Sequence, residues 1–248
     1  MATPVLPTTL SQTRDALHRV AEHVVSPARY AVTGRIGLRP APGGFSTPPF
    51  GADERLVAVD GIDLVVISSG AERRARLTTL RAAGALAGVA PGAPAHLYTP
   101  ATPLELDEPL NIDAEAAAVL AGWFQLGGQA LAGFAAGIAE DEPSEAQLWP
   151  EHFDLGIAAA QVNYGVSPGD EHVTGPYLYV GPDASTASRL SSPAPAGGPH
   201  DGPPPGDEGF WNMPFGATRA IHEIRSVNDA VAFFQAGRDR IAEIRRKR

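Results

Sequence analysis

Two histidines and two aspartates stand close together in the second half of the chain, and their side chains are of types that can do chemistry. They are His152, Asp154, Asp170 and His172. Residues two apart on a β-strand share a face, so we expect His152 and Asp154 to point the same way, opposite to Phe153. Imidazole titrates near neutral pH and can transfer protons beside a carboxylate. We therefore take His152 and Asp154 as candidate catalytic residues, with His152 as base or ligand and Asp154 as its orienting carboxylate.

The same cluster contains a ligand set for a divalent metal. Two histidines and one carboxylate form a facial site with open positions, and His152, Asp154 and His172 supply these groups. The alternative is structural: His152 and Asp154 bond to each other or to solvent, while Asp170 caps the following turn. On one straight strand at ~3.3 Å per residue, the two halves of the cluster would lie about 30 Å apart. Any shared site therefore requires a bend between them.

Aromatic residues near this cluster are candidates for lining a small-molecule pocket. Tyr177 and Tyr179 lie two apart on a predicted strand and share a face. The candidate ligand-binding residues are Asn163, Tyr177, Tyr179 and Trp211. The alternative is ordinary core packing, where large aromatic side chains are most often found.

A second candidate site lies at residues 68–70. Ser69 and Glu72 have the spacing of a capping box, which predicts a helix from here to about Ala87. A helix N-terminus attracts anions, and Arg73, Arg74 and Arg76 follow closely. The alternative is a solvated helix face without a ligand.

Composition excludes several classes of function. The chain has 248 residues, a net charge of −9 and no cysteine. Zinc–thiolate sites, iron–sulfur clusters and cysteine nucleophiles are therefore excluded, and an acidic chain is a poor nucleic-acid binder. Residues 116–139 carry no charge, but they are mostly Ala and Gly between acidic flanks, which indicates a buried helix rather than a membrane span. The first residues lack a basic and apolar leader, so we expect a cytoplasmic protein without nucleic-acid or membrane partners.

The pattern along the chain predicts an α+β fold with a mainly antiparallel sheet packed against several helices, in a single domain. Pro and Gly crowd a segment at about 184–209, which we expect to be a disordered loop. The predicted helices cover residues 9–25, ended by Pro27, then 69–87, 113–139 and a last helix capped by Ser226. The predicted strands cover residues 30–39, a hairpin turning at Asp60-Gly61, residues 148–165 as one strand or two, and residues 177–180.

Three segments resemble an uncharacterised bacterial family of unknown function. Its members have a W-P-x-H-F-D-like strand, a turn with S-P-G and a P-Y-x-Y strand. This chain has Trp149-Pro150-Glu151-His152-Phe153-Asp154, Ser167-Pro168-Gly169 and Pro176-Tyr177-Leu178-Tyr179. The resemblance implies a soluble bacterial domain and no known activity.

The sequence favours a small-molecule-binding protein with a His/Asp site, and leaves open whether it is an enzyme and whether it forms homo-oligomers. The alternative is a non-catalytic protein-interaction module that uses its aromatic surface, the Pro-rich loop or the basic C-terminus. The two differ in one observable feature. A binding site requires a concavity where His152 and Asp154 meet a third polar group, whereas an interaction module requires an exposed apolar patch.

Overall fold

The computed structural model describes residues 6–182 and 209–246, and these form an α+β fold, as predicted. The helices are α1 (Leu10–Val20), α2 (Ser26–Thr33), α3 (Leu80–Ala87), α4 (Ala114–Gly137) and α5 (Val227–Arg246). The strands are β1 (Arg39–Ala41), β2 (Gly44–Ser46), β3 (Leu56–Asp60), β4 (Asp63–Ser68), β5 (Ala71–Arg76), β6 (Gln147–Trp149), β7 (Asp154–Ala159), β8 (Val162–Ser167), β9 (Tyr177–Pro182) and β10 (Ala217–Ala220). The loop predicted at 184–209 lies outside the described residues, apart from Gly209.

The strands form two five-stranded antiparallel sheets rather than one. The first has the order β1-β2-β3-β4-β5, and the second has the order β10-β9-β8-β7-β6. The two sheets meet where Leu38 and Leu148 exchange backbone hydrogen bonds of 2.8 and 2.9 Å. Both leucines are fully buried within one hydrophobic cluster that contains side chains from both sheets.

The first helical segment is longer than predicted. α1 continues through a π-helical turn at Ala21–Val25 directly into α2, so Pro27 does not end the helix. The π turn places Pro27 in the first turn of α2, where a missing N–H is tolerated. The strand predicted over residues 30–39 is also wrong. Gly34, with φ of 68°, ends α2, and residues 31–35 are exposed, so the apolar face of the alternating pattern has a buried position only near its end, at Leu38.

The second predicted helix start is a β-turn. Ser69 and Gly70 have φ of 49° and 80°, as a two-residue type I′ turn requires, and β5 follows them. The helix begins only at Leu80, where the Thr79 hydroxyl accepts the Ala82 N–H at 3.1 Å. Since no helix begins at residues 68–72, the helix N-terminus on which the predicted anion site depended is not formed. The β3–β4 hairpin is confirmed, although Gly61 and Ile62 are its central residues instead of Asp60 and Gly61.

Helix α4 is confirmed and lies against both sheets. Asp113 caps it by accepting the Ala116 N–H at 2.9 Å. A β-carbon at Gly127 would lie 2.4 Å from Val166 of β8, so only glycine permits this approach. Within the described parts of the chain, α4 and the other helices lack the length and apolar character needed to cross a membrane.

The segment expected to be one strand or two short ones folds into three, β6, β7 and β8. A turn at Ala160 and Gln161 reverses the chain between β7 and β8, with φ of 46° and 63°. Leu155 therefore pairs with Val166, and Asp154 and Ser167 lie at the same end of the hairpin. This reversal replaces the 30 Å separation of a straight strand and brings the two halves of the cluster together.

The Ala160–Gln161 turn is strained, because a left-handed conformation costs a residue with a β-carbon about 1–2 kcal/mol. We expect Gln161→Gly to raise the free energy of unfolding by about 0.5–1 kcal/mol. Urea unfolding measures this change in the free energy of unfolding, and an unchanged m-value shows that only stability has changed. Ala158→Gly, in the extended and exposed part of β7, is the control and is expected to lower stability by about 0.5–1 kcal/mol. Equal destabilisation by both variants would contradict the strain at the turn.

Candidate functional site

A cleft of about 600 Å³ lies at the end of the β7–β8 hairpin. We call it the acidic cleft, because, among the described residues, five carboxyl groups and a single guanidinium, that of Arg14, line it. The carboxyl groups belong to Asp15, Glu151, Asp154, Asp170 and Glu171. His18, His152, His172, Tyr177 and Tyr179 also line the cleft, so most of the candidate residues selected from the sequence meet here.

Tyr179 reaches Asp154 across two glycines. Gly165 pairs with Tyr179 on one side and with Gly156 on the other, so no side chain fills the surface between β9 and β7. The phenol ring lies over this gap, and its hydroxyl donates a hydrogen bond to Asp154 Oδ2. A β-carbon at Gly165 would lie 2.2 Å from the ring, and one at Gly156 would lie 3.1 Å from the hydroxyl. The glycine pair is therefore the feature that lets Tyr179 orient Asp154.

Asp154 has one oxygen held and one oxygen without a partner. Oδ1 is buried and forms no hydrogen bond. Burial raises the pKa of this carboxyl above its ordinary value, and the bond from Tyr179 and the charge of His152 offset only part of that rise. The pKa of Tyr179 is raised well above its ordinary value by its own burial and by Asp154, so the phenol remains a donor. Asp154 therefore combines a fixed orientation with an unused hydrogen-bonding position.

Asp170 has a structural role beside this group. Its Oδ1 accepts the N–H groups of His172 and Val173 at 2.7 and 2.8 Å, and its Oδ2 accepts the Tyr177 hydroxyl at 2.5 Å. Burial favours the neutral form, but these three bonds outweigh it and lower the pKa of Asp170. The turn-capping alternative considered for Asp170 is therefore the one observed, and it fixes Tyr177 beside the cleft.

His152 lies in a turn rather than on the strand. The Phe153 N–H donates to the Trp149 carbonyl at 2.7 Å, and Phe153 has φ of 52°, so β7 begins only at Asp154. The prediction that His152 and Asp154 alternate along one strand is therefore wrong. Both still line the cleft, where the imidazole of His152 is exposed and its charge acts on Glu151 and Asp154.

Sequence reasoning missed Glu151 and His18. Glu151 Oε2 is buried without a hydrogen-bond partner, and burial raises the pKa of this carboxyl. His18 stacks on Phe153 with ring centroids 5.2 Å apart, and its Nε2 donates to the Pro150 carbonyl at 2.8 Å. Burial lowers the pKa of His18 below its ordinary value. Sequence reasoning could have found Glu151 from its position between Pro150 and the candidate residue His152.

Two candidate ligand-binding residues lie away from the cleft. Asn163 is exposed near the start of β8, opposite Ala158 and Gly181, at the far end from Ser167. Trp211 packs edge-on against Phe210 at 5.0 Å, and its indole nitrogen is buried without a partner. Neither residue lines the acidic cleft, whereas Tyr177 and Tyr179 do.

The metal-ligand set predicted from the sequence is not assembled. In the two described ranges, no three histidine, aspartate or glutamate side chains are grouped so as to hold a metal ion. The His172 side chain is mostly exposed and lies next to Glu171, with its ring 6.2 Å from that of Phe215. His152, Asp154 and His172 share the cleft without forming a ligand set.

Replacing Gly165 tests the link between Tyr179 and Asp154. Gly165→Ala must displace the phenol ring, so Asp154 loses its donor and its pKa rises further above the ordinary value. Carbon-13 NMR titration of the Asp154 carboxyl measures this change. Gly122→Ala is the matched control, because a β-carbon at Gly122 meets no atom within 4 Å, and it should leave the titration unchanged. An unaltered Asp154 titration in Gly165→Ala would show that the ring does not depend on the glycine gap.

The raised pKa of Asp154 predicts how stability depends on pH. The folded protein holds this proton more tightly than the unfolded chain, so the contribution of Asp154 is full at low pH. It is lost as pH rises from the ordinary value of 3.8 through the raised pKa. Asp154→Asn keeps an acceptor for Tyr179 but cannot ionise. We expect it to raise the melting temperature near pH 7 by about 2–4 °C, with no gain below pH 3.8.

Melting curves from pH 3 to pH 8 test this expectation. Asp15→Asn is the control, because the Asp15 side chain is 63% exposed on the same cleft. We expect no comparable pH-dependent gain in that variant. A constant loss of stability in Asp154→Asn at every pH would contradict the expectation.

No protein-family model matches the chain, and no curated protein or solved structure matches it either. The resemblance to a bacterial family carried by residues 149–154 and 176–179 therefore stays an expectation. What the acidic cleft does must be inferred from its own geometry and charge.

Proposed function

We propose that this protein binds a small organic cation in the acidic cleft, with Asp154 as the carboxyl group that contacts it. The observation that carries the proposal is the buried Oδ1 of Asp154, which has no hydrogen-bond partner although Oδ2 is held by Tyr179. An unsatisfied buried acceptor costs about 1–3 kcal/mol, and most buried polar groups in proteins are paired. Oδ1 is covered in this structure, so a ligand in the cleft reaches it only when the covering groups shift, and an N–H donor would then supply the missing bond.

The charge of the cleft favours a cation. Five carboxyl groups face one guanidinium, and that guanidinium, of Arg14, is already paired with Asp15 at 2.8 Å. A concave surface lined by one sign of charge concentrates ligands of the opposite sign. A carboxylate or phosphate ligand would meet repulsion from most of the wall.

The aromatic part of the wall favours an organic ligand over a simple ion. Tyr177 and Tyr179 lie with ring centroids 6.3 Å apart, and Phe215 faces the cleft from the segment before β10. Aromatic faces bind apolar groups and attract organic cations. A ligand with a protonated amine and a flat apolar portion therefore fits both the charge and the surface.

Asp154 and His152 also have the properties that proton transfer requires. Asp154 is a carboxyl group with a raised pKa, and an exposed imidazole stands beside it. Perturbed carboxyl groups in clefts are frequent in active sites, so an enzyme acting on the bound cation is compatible with this proposal. Binding is the step to test first, because any such reaction depends on it.

The alternative of a protein-interaction module finds less support. In the described parts of the chain, the large hydrophobic side chains that stand exposed are Val32, Leu97 and Leu104. They belong to α2 and to two positions in the connection between α3 and α4, and isolated apolar side chains are ordinary on protein surfaces. The Pro-rich loop proposed as a binding segment lies outside the described residues.

Two probes of similar size and opposite charge test the proposal. Tyramine carries a phenol and a protonated amine, whereas 4-hydroxyphenylacetate carries a phenol and a carboxylate. We expect tyramine to raise the melting temperature and to bind by calorimetry, and the acid to do neither. Affinity for tyramine should fall as pH is lowered through the raised pKa of Asp154, because the amine requires the ionised carboxylate.

Two variants distinguish direct contact between Asp154 and the ligand from the general negative charge of the cleft. Asp154→Asn should weaken tyramine binding at least about ten-fold, as expected for losing one charged hydrogen bond. Asp15→Asn removes the same charge from the rim of the cleft and should weaken binding much less. Absent binding at 10 mM tyramine, stronger binding of the acid, or equal effects of the two variants would each overturn the proposal.

A further inference from the structure

A second concavity of about 440 Å³ lies where the two sheets meet. One wall is the segment from Gly34 to Arg39, which links α2 to β1, and the other is residues 145–149, which lead into β6. The Leu38–Leu148 backbone pair joins these two walls. We call this concavity the arginine pocket, because Arg29, Arg35 and Arg39 line it.

The positive charge of the three guanidinium groups is only partly compensated. Among the described residues that line the pocket, Glu145 is the one acidic residue, so three positive charges face one negative charge and the net is +2. In the part of the chain that the structure describes, none of the three arginines has a carboxylate within ion-pair distance. This positive concavity belongs to a protein whose net charge is −9.

Arg29 forms the partly buried floor of the pocket. Its Nη1 donates to the Gly37 carbonyl, which fixes the guanidinium, while its Nε is buried without an acceptor. Burial and the nearby charge of Arg35 lower the pKa of Arg29, and the negative charge of Glu145 offsets only part of that effect. An anion in the pocket would add countercharge beside this guanidinium.

The two arginines at the rim of the pocket, Arg35 and Arg39, make few hydrogen bonds of their own. Arg35 is exposed and donates no side-chain hydrogen bond within the described ranges, and Arg39 donates only a long bond of 3.4 Å from Nε to Ser46 Oγ. The planar fork of arginine matches the oxygens of a phosphoryl group with two parallel hydrogen bonds. Trp149 adds an aromatic wall beside these donors.

We propose that the arginine pocket binds a small organic phosphate, with its phosphoryl group on Arg29, Arg35 and Arg39 and its organic part against Trp149. The net charge of +2 matches a phosphoryl dianion better than a single carboxylate. The volume of 440 Å³ exceeds that of one phosphate ion, which leaves space beside the indole. This site is independent of the acidic cleft, since it takes the opposite charge and uses other residues.

Titration with inorganic phosphate and phenyl phosphate tests the proposal. Calorimetry at constant ionic strength separates specific binding from screening. We expect phenyl phosphate to bind more tightly than phosphate, and benzyl alcohol, which lacks the charge, not to bind. NMR should show the guanidinium signals of Arg29 moving on addition of phenyl phosphate, because the anion brings a negative charge next to this group.

Variants at the rim of the pocket test binding without unfolding the protein. Arg35→Gln and Arg39→Gln change exposed side chains, and each should weaken phenyl phosphate binding about ten-fold. Arg73→Gln is the matched control, because Arg73 is an exposed arginine of β5 outside the pocket. The affinity of this variant for phenyl phosphate should match that of the wild type. Absence of phenyl phosphate binding at 10 mM, an unmoved Arg29 signal, or equal effects of Arg73→Gln and the rim variants would each overturn the proposal.

Discussion

The fold depends on how closely α4 approaches the two sheets. At Gly127 a β-carbon would collide with Val166 of β8, and at Gly128 it would lie 3.3 Å from Pro40 of β1. Glycine inside a helix lowers helix stability by roughly 1 kcal/mol relative to alanine. At both positions this loss accompanies close contact between the helix and a sheet. The same helix places the Trp123 indole N–H 2.8 Å from the Ser167 carbonyl, at the end of β8. Core packing therefore fixes the strand ends that carry the acidic cleft.

One short segment separates two concavities of opposite charge. Trp149 lines the arginine pocket, while Glu151 and His152 line the acidic cleft. Between them the backbone makes a tight turn, closed by the bond from Phe153 N–H to the Trp149 carbonyl, and Phe153 is buried with φ of 52°. A non-glycine residue in this conformation is uncommon and is held by its surroundings. The turn keeps the two charged surfaces apart on either side of a buried aromatic anchor.

Local patterns in the sequence predicted the elements whose signals agreed with their burial, such as the helix over residues 113–139, observed as α4, and the pairing of β3 with β4. The prediction was wrong where one local sequence pattern was compatible with two local structures. Ser69 and Glu72 satisfied a capping box, but Ser69-Gly70 also fits a type I′ turn, and pairing with β4 decided the outcome. The β7–β8 turn was missed because Ala160-Gln161 has neither Gly nor Asn. The convergence of Asp154 with Tyr179 depended on long-range register, which spacing along one chain does not reveal.

Unpaired buried side-chain atoms occur at both concavities and, among the described residues, also at Arg19, Arg55, Tyr98 and Trp211. Arg19 and Arg55 also bury an Nε without a partner, but their guanidinium groups are engaged elsewhere, Arg19 with Glu108 and Arg55 with the Ala87 carbonyl. Asp154 and Glu151 instead both line the acidic cleft, and desolvation disfavours the charge of each carboxyl group. A domain stable by about 5–15 kcal/mol retains such costs at one place only if something offsets them. The organic cation proposed above would bring its own hydrogen-bond donor and would offset these costs.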